Sequence, residues 1–161
     1  MTKHSIRRQN LLALLMLPAL GSFTAPPANA APAVEYFESA RLPPGLPFSE
    51  AVRAGNTLYL SGQIGNLPGT LKLAPGGMAG EAHQALDNVR AVLESHGYAL
   101  DDLVKCTVML ADMADWPAFN DIYRGYFKAH FPARSAMGAN GLALGARLEL
   151  DCIAVRGADG T

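Results

Sequence analysis

The stretch that decides the fold is VKCTVMLADMADWPAFNDIYRGYF, residues 104–127. Its first part is almost wholly apolar, which predicts a strand at about 103–111 that is buried on both faces. Its second part predicts a helix, because Asp115 is placed to cap it and Pro117 suits its first turn. Five large side chains then recur on one broad inward face: Phe119, Ile122, Tyr123, Tyr126 and Phe127. A buried strand that leads into an amphipathic helix favours helices layered on a sheet.

The flanking segments predict one more helix and four more strands. EAHQALDNVRAVLESHG, residues 81–97, repeats apolar residues at helical spacing and ends at Gly97. The other strands are predicted at about 49–54, 57–63, 135–139 and 148–156. The order ββ-α-β-α-ββ predicts an α+β fold, a mixed β-sheet with two helices on one face. Because much of the opposite sheet face is apolar in this interpretation, we expect a homo-oligomer that covers it.

The first thirty residues are a different kind of sequence. MTKHSIRRQN carries three basic residues and no acid, LLALLMLPAL is apolar, and the segment ends in Ala28-Asn29-Ala30. This pattern predicts a signal peptide over residues 1–30 that is cleaved after Ala30. The apolar run is shorter than the roughly 20 residues of a transmembrane helix, although an uncleaved anchor is the alternative. We therefore expect a periplasmic or secreted protein that is free of the membrane after cleavage.

The remaining chain is predicted to form one domain with short flanks. Residues 31–47 are rich in proline and alanine and are interpreted as an extended lead-in with little regular structure. Residues 48–157 form the domain and residues 158–161 a tail. Without the first thirty residues the chain has 161 − 30 = 131 residues, with ten basic and fourteen acidic side chains, and a net charge of about −4. That charge disfavours nucleic acid as a partner.

The two cysteines and the histidines carry no metal-site pattern. Cys106 and Cys152 both lie in apolar, strand-like runs. Export permits a disulfide, but we expect two buried free thiols that pack as small hydrophobic side chains. The chain has neither a His-x-x-x-His nor a Cys-x-x-Cys spacing, so no metal site is predicted.

Arg134 and Glu149 are the candidates for chemistry that remain. If the strands SAMGA and LELDCIAV pair as a hairpin through NGLALGA, residues 140–146, the two side chains lie near one another. An arginine binds a carboxylate through two parallel hydrogen bonds, and a nearby glutamate can hold and activate water. The alternative is a plain salt bridge between the two residues, which their spacing alone favours.

Five segments together resemble one protein family. They are SGQI (61–64), QALDNVRAVLESHG (84–97), VKCTVMLADMADWPAFNDIYRGYF (104–127), FPARSA (131–136) and RLELDCIAV (147–155). They are similar to the Rid family (YjgF/RidA, reactive intermediate deaminases) over residues 45 to 156. The resemblance implies a chorismate-mutase-like α+β fold and a homotrimer with clefts between its subunits.

The resemblance also implies an activity and a set of site residues. Archetypal members hydrolyse enamines and imines, such as 2-iminopropanoate, to the 2-keto acid and ammonia without a metal or organic cofactor. At the matching positions, Arg134 would bind the substrate carboxylate and Glu149 would handle the water and the proton. Five further positions would complete the cleft: Phe48, Ser61, Gly62, Asn120 and Ala136. Of these, Phe48 replaces a tyrosine that is common in the family, and Ala136 would act through its backbone N–H.

A second hypothesis keeps the same clefts without catalysis. In it the protein is an exported trimer that binds small carboxylates or serves as a scaffold. Loss of turnover on replacing Arg134 would favour the deaminase, whereas loss of ligand retention alone would favour the binding protein.

Overall fold

A mixed β-sheet with helices on one face organises the computed structural model, which describes residues 33–157. The strands are β1 (Val34–Phe37), β2 (Ala51–Ala54), β3 (Thr57–Leu60), β4 (Gln63–Ile64), β5 (Leu103–Leu110), β6 (Ala133–Gly138) and β7 (Leu148–Val155). The helices are α1 (Gly77–Ser95) and α2 (Trp116–Arg124), with short 3-10 turns at Leu100–Asp102, Met113–Asp115 and Ala143–Gly145. The predicted α+β fold, a mixed sheet with two helices, is confirmed.

The sheet order is β1-β2-β3-β7-β5-β6, and β4 pairs with β7 beyond the end of β3. All pairs are antiparallel except β5 with β6, which are parallel. A parallel pair needs a crossover connection, and α2 supplies it. The side chains that alternate inward from β3, β5 and β7 join α1 and α2 in one hydrophobic core.

Helix α2 is shorter than its apolar pattern suggests. It ends at Arg124, yet Tyr126 and Phe127 still pack against the core from the following turn. Asp115 occupies the N-cap position but its side chain makes no capping hydrogen bond. Asp112 caps the preceding 3-10 turn instead, by accepting from the backbone N–H of Ala114.

The lead-in contains a strand that the sequence did not indicate. Val34–Phe37 pairs with β2 and forms the edge of the sheet. Its first three residues are exposed, and only Phe37 reaches the core, where it stacks on His96. An edge strand that buries one side chain lacks the alternation by which strands are recognised. The segment interpreted as an extended lead-in with little regular structure therefore contains a strand of the sheet, Val34–Phe37.

The predicted hairpin between the last two strands is wrong. β5 lies between β6 and β7 and pairs with both of them. The crossover through α2 returns the chain parallel to β5, so β6 is an edge strand, and the loop 139–147 carries the chain to the other side of β5. Short spacing made a hairpin plausible, but the partner of β6 is fixed by the preceding helix.

The expectation of free thiols is also contradicted. Cys106 and Cys152 are directly opposed on β5 and β7 and form a disulfide. Both are fully buried in the core. The sequence could not decide the matter because the pairing depends on a strand register that only the fold supplies.

We expect loss of this disulfide to destabilise the domain measurably. It closes a loop with a sequence separation of 46 residues. The double variant Cys106→Ala/Cys152→Ala should lower the free energy of unfolding by roughly 2–4 kcal/mol, measured by urea denaturation. A reductant should lower the free energy of unfolding of the wild-type protein and leave that of the variant unchanged. Two titratable thiols in unfolded, unreduced wild-type protein would contradict the assignment.

No helix between residues 33 and 157 is long and apolar enough to cross a membrane. The predicted signal peptide over residues 1–30 and the tail at 158–161 lie outside the described residues.

Candidate functional site

Arg134 lies at the sheet edge and faces helix α2. On β6 it is level with Cys106, whose side chain points into the core, so Arg134 shares the helix-covered face. Its guanidinium carbon lies 4.6 Å from the centre of the Trp116 ring and 4.5 Å from that of Tyr123. Its Nη2 donates a 2.6 Å hydrogen bond to Oδ1 of Asn120. The side chain is thus held on three sides by one helix.

The spacing of these partners explains why α2 can hold an arginine. Trp116, Asn120 and Tyr123 follow at intervals of four and three residues, which places them on one helix face. The two rings attract the cation, each contact being worth about 0.5–2 kcal/mol. Asn120 was expected in the site, whereas the contacts of Trp116 and Tyr123 with Arg134 were not predicted. The 116-120-123 spacing was the available signal, but of these three residues only Tyr123 was assigned to the predicted core face.

The electrostatics keep this arginine available for an anion. Burial raises the pKa of Tyr123 to about 12, although the positive charge of Arg134 opposes the shift. The Tyr123 ring therefore stays neutral. Within residues 33–157, Arg134 forms no salt bridge and donates only to Asn120, so further N–H donors of its planar fork are free. They border a pocket of about 340 Å³ that includes Phe131.

Glu149 lies on the opposite, open face of the sheet. On β7 it is level with Met109 of β5, three positions from Cys106, and an odd number of residues along a strand reverses the face. The side chains of Leu148 and Leu150 on either side of it are buried in the core. Arg134 and Glu149 of one chain therefore point away from each other, and the salt bridge weighed from the sequence does not form.

Phe48, Ser61 and Gly62 surround Glu149 as the resemblance implied. Together they line a pocket of about 400 Å³. A Cβ atom placed on Gly62 would overlap the Glu149 carboxylate, so a glycine is required there for the carboxylate to occupy its position. Ser61 donates a 2.6 Å hydrogen bond to the backbone carbonyl of Ser49 and so anchors the segment that carries Phe48.

The environment of Glu149 favours its protonated form. Burial raises its pKa above the ordinary value of 4.5, and the negative charge of Asp151 raises it further. Asp151 lies two residues along the same strand and therefore on the same face. In the described part of the chain no side chain or backbone group donates a hydrogen bond to the Glu149 carboxylate. A half-buried carboxyl of this kind is suited to exchange protons.

One of the residues that line the pocket beside Glu149 has an unusual backbone conformation. Leu144 has φ 58° and ψ 13°, the left-handed region that costs a residue with a Cβ about 1–2 kcal/mol. Its side chain is nevertheless directed to the pocket, beside Ala143. Strained residues of this kind cluster at functional sites.

The last predicted site residue, Ala136, lies on the same strand as Arg134. Ala136 lies two residues beyond Arg134 on the same face of β6 and packs partly against the core. Among residues 33–157 no group of three or more histidine, cysteine, aspartate or glutamate side chains is placed to hold a metal ion.

The sequence is similar to one protein family and to several of its named members. The family described as Endoribonuclease L-PSP matches residues 29–156. The 2-iminobutanoate/2-iminopropanoate deaminase of Capra hircus is 45% identical over 111 residues, which are 69% of this chain and 81% of that protein. Its human counterpart is 44% identical over the same length, again 69% and 81% of the two chains.

Solved structures show the same fold. The E. coli TdcF structure with bound serine is 31% identical, has a TM-score of 0.70, and is matched over 76% of this chain and 99% of that one. The family match spans the whole described sheet and both helices, including Arg134 and Glu149. The chain therefore belongs to the Endoribonuclease L-PSP (YjgF/RidA) family.

Proposed function

We propose that the protein is a hydrolase of C=N bonds that converts small enamine or imine intermediates, such as 2-iminopropanoate, to 2-keto acids and ammonia. Relatives 44–45% identical to this chain are named 2-iminobutanoate/2-iminopropanoate deaminase. The observation that carries the proposal is the pair of half-sites, an unneutralised arginine and a glutamate of raised pKa, on opposite faces of one sheet.

Two copies of the chain bring the half-sites together in this proposal. Arg134 of one copy and Glu149 of the next face a shared cleft, since one chain directs them apart. The exposed apolar residues of the open sheet face, among them Tyr59, Val104 and Val155, give the copies a surface to cover. The resemblance makes the assembly a homotrimer.

Arg134 captures and orients the substrate. Its free N–H donors bind the two carboxylate oxygens, while Trp116, Tyr123 and Asn120 keep the fork from turning away. Fixing the carboxylate places the C=N carbon opposite Glu149, which supplies proximity. The backbone N–H of Ala136 assists at the carboxylate.

Glu149 manages the water and the proton. An enamine first gains a proton at its β-carbon and becomes the imine. Water then adds to the imine carbon, and Glu149 accepts its proton and delivers it to the nitrogen. In the resulting carbinolamine the hydroxyl proton then passes to the nitrogen through Glu149, the C=O bond forms, the C–N bond breaks and ammonia leaves. Every atom comes from substrate and water, so the reaction calls for no cofactor.

Phe48, Ser61 and Gly62 shape the cleft around this carboxylate. Gly62 leaves room for it, and Ser61 fixes the Phe48 segment. Phe48 provides ring surface without a hydroxyl, so proton transfer rests on Glu149. We place the reaction outside the cytoplasm, in line with the predicted signal peptide, where an oxidase acting on amines or amino acids would supply the imine.

The test uses purified protein expressed from the full chain. An amino-acid oxidase generates 2-iminopropanoate from alanine, and semicarbazide traps the remaining imine. We expect wild-type protein to suppress semicarbazone formation in proportion to its concentration. If it has no effect on this or on larger imino acids but still binds 2-keto acids, the protein is the non-catalytic carboxylate-binding trimer instead.

A further inference from the structure

Exposed apolar side chains gather around Glu149. Four large ones share its pocket: Leu46, Phe48, Leu71 and Leu144, with exposed fractions of 36%, 50%, 48% and 52%. Single exposed apolar residues are ordinary, whereas a group that shares one concave surface marks a binding site. The group comes from three separate loops, so chain proximity does not explain it.

The part of the cleft that one copy forms is larger and more apolar than a three-carbon imino acid requires. Its volume of about 400 Å³ falls in the range of small-molecule sites, roughly 300–1,000 Å³. A substrate made from alanine offers it one methyl group. Its polar side chains are few, and Ser61 is already engaged with Ser49. Most of the wall is therefore available only to an apolar group.

The proposed orientation of the substrate determines which group that is. The carboxylate is held by Arg134 of the neighbouring copy and the C=N carbon lies at Glu149. The side chain is the remaining part of the molecule, and Leu144 and Phe48 lie in the same pocket as that glutamate. Leu144 keeps its position in spite of a left-handed backbone, which glycine or asparagine would adopt more readily.

We propose that the preferred substrates are 2-imino acids, or their enamine tautomers, with a branched or aromatic apolar side chain, and that Leu46, Phe48, Leu71 and Leu144 hold that side chain. This inference rests on the proposed function, because it assigns the substrate class of the same site. It predicts that the protein prefers substrates with large apolar side chains to the alanine-derived imine, rather than accepting both equally.

Binding of the product keto acids tests the inference without turnover. By calorimetry, 4-methyl-2-oxopentanoate should bind at least about tenfold more tightly than pyruvate, because it has three additional carbons and a single methylene in an apolar pocket already contributes about 10-fold or more. Leu144→Asn should reduce this preference at least severalfold, because asparagine keeps the backbone but removes the apolar contact. Val34→Asn is the matched control: Val34 is aliphatic, 51% exposed and remote from the pocket, and its variant should keep the preference.

Turnover of the two imines separates this inference from the proposed function. With semicarbazide as the trap, the leucine-derived imine should be hydrolysed with a kcat/KM at least about tenfold above that of the alanine-derived imine. Equal or tighter binding of pyruvate would overturn the inference and leave the deaminase proposal standing. Absence of turnover with both imines, with the binding preference intact, would overturn the catalytic proposal alone. A changed native mass for Leu144→Asn would identify the leucines as a subunit contact and overturn the inference.

Discussion

We expect Arg134→Lys to lower kcat/KM for the alanine-derived imine by about 10³-fold, a loss in the range found on removal of a hydrogen-bond donor to the transition state. An ammonium cannot make two parallel hydrogen bonds to a carboxylate, and it lacks the planar group that packs against the rings of Trp116 and Tyr123. The positive charge is conserved, so the variant isolates geometry from charge. The measurement is the initial rate of semicarbazone suppression over a range of imine concentrations.

Arg53→Lys is the matched control for that variant. Arg53 also makes two hydrogen bonds to a carboxylate, that of Glu35, and lies 5.2 Å from the centre of the Phe37 ring. It belongs to β2 and lies outside both pockets. We expect it to keep wild-type activity. An Arg134→Lys protein that keeps half of the wild-type kcat/KM would contradict the role assigned to the guanidinium.

Glu149→Gln should remove activity and, at neutral pH, stabilise the fold. The amide cannot accept a proton from water, which should lower kcat by about 10²–10⁴-fold. The folded-state pKa of Glu149 is raised above its ordinary value of 4.5 by burial and by Asp151, so its ionised form is disfavoured in the folded protein. Compared with the glutamine variant, the wild type therefore loses folding stability as the pH rises from 4.5 through the raised pKa of Glu149 in the folded state. Below pH 4.5 the carboxyl is protonated in both states and this loss is absent.

Thermal melts at two pH values check the stability part of this prediction. The Glu149→Gln protein should have a higher Tm than the wild type at pH 8 and the same Tm at about pH 4. Glu35→Gln is the control, because a hydrogen bond from Arg53 lowers the pKa of Glu35 and its loss should bring no gain. An unchanged Tm at both pH values would show that Glu149 carries no such cost.

The pH profile of turnover depends on the same residue. If Glu149 must be ionised to accept a proton, the acidic limb of kcat/KM follows its raised pKa. Asp151→Asn removes the negative charge that contributes to the shift, so the limb should move to lower pH. A limb that does not move would assign it to another group.

The sequence predicted what depends on local periodicity. The strand at Leu103–Leu110 and the two helices are recognisable because their apolar residues recur at fixed intervals. The partner of β6 and the disulfide depend on register across distant segments, which no local pattern contains. The edge strand Val34–Phe37 escaped because it buries one residue.

The sequence pointed to the residues of the candidate site but not to their arrangement. The PARS segment and the last strand pointed to Arg134 and Glu149, while the hairpin inferred from their spacing placed them together. Arg134 is level with Cys106 and Glu149 with Met109, three residues further along β5, so the two side chains lie on opposite faces; in the proposed function a second copy brings them together. The aromatic contacts of Arg134 were not predicted, because Tyr123 was assigned to the core face alone and Trp116 comes near Arg134 only through the packing of α2 on β6.

The central claim is that one copy supplies Arg134 and another supplies Glu149 to the same cleft. Co-expression of Arg134→Ala chains with Glu149→Gln chains, with native mass spectrometry to confirm mixed oligomers, tests it most directly. Random assembly should restore about a quarter of the wild-type kcat per site, since half of the neighbours on each side carry the intact residue. Mixed oligomers as inactive as the two parent variants would contradict the claim and return both residues to a single chain.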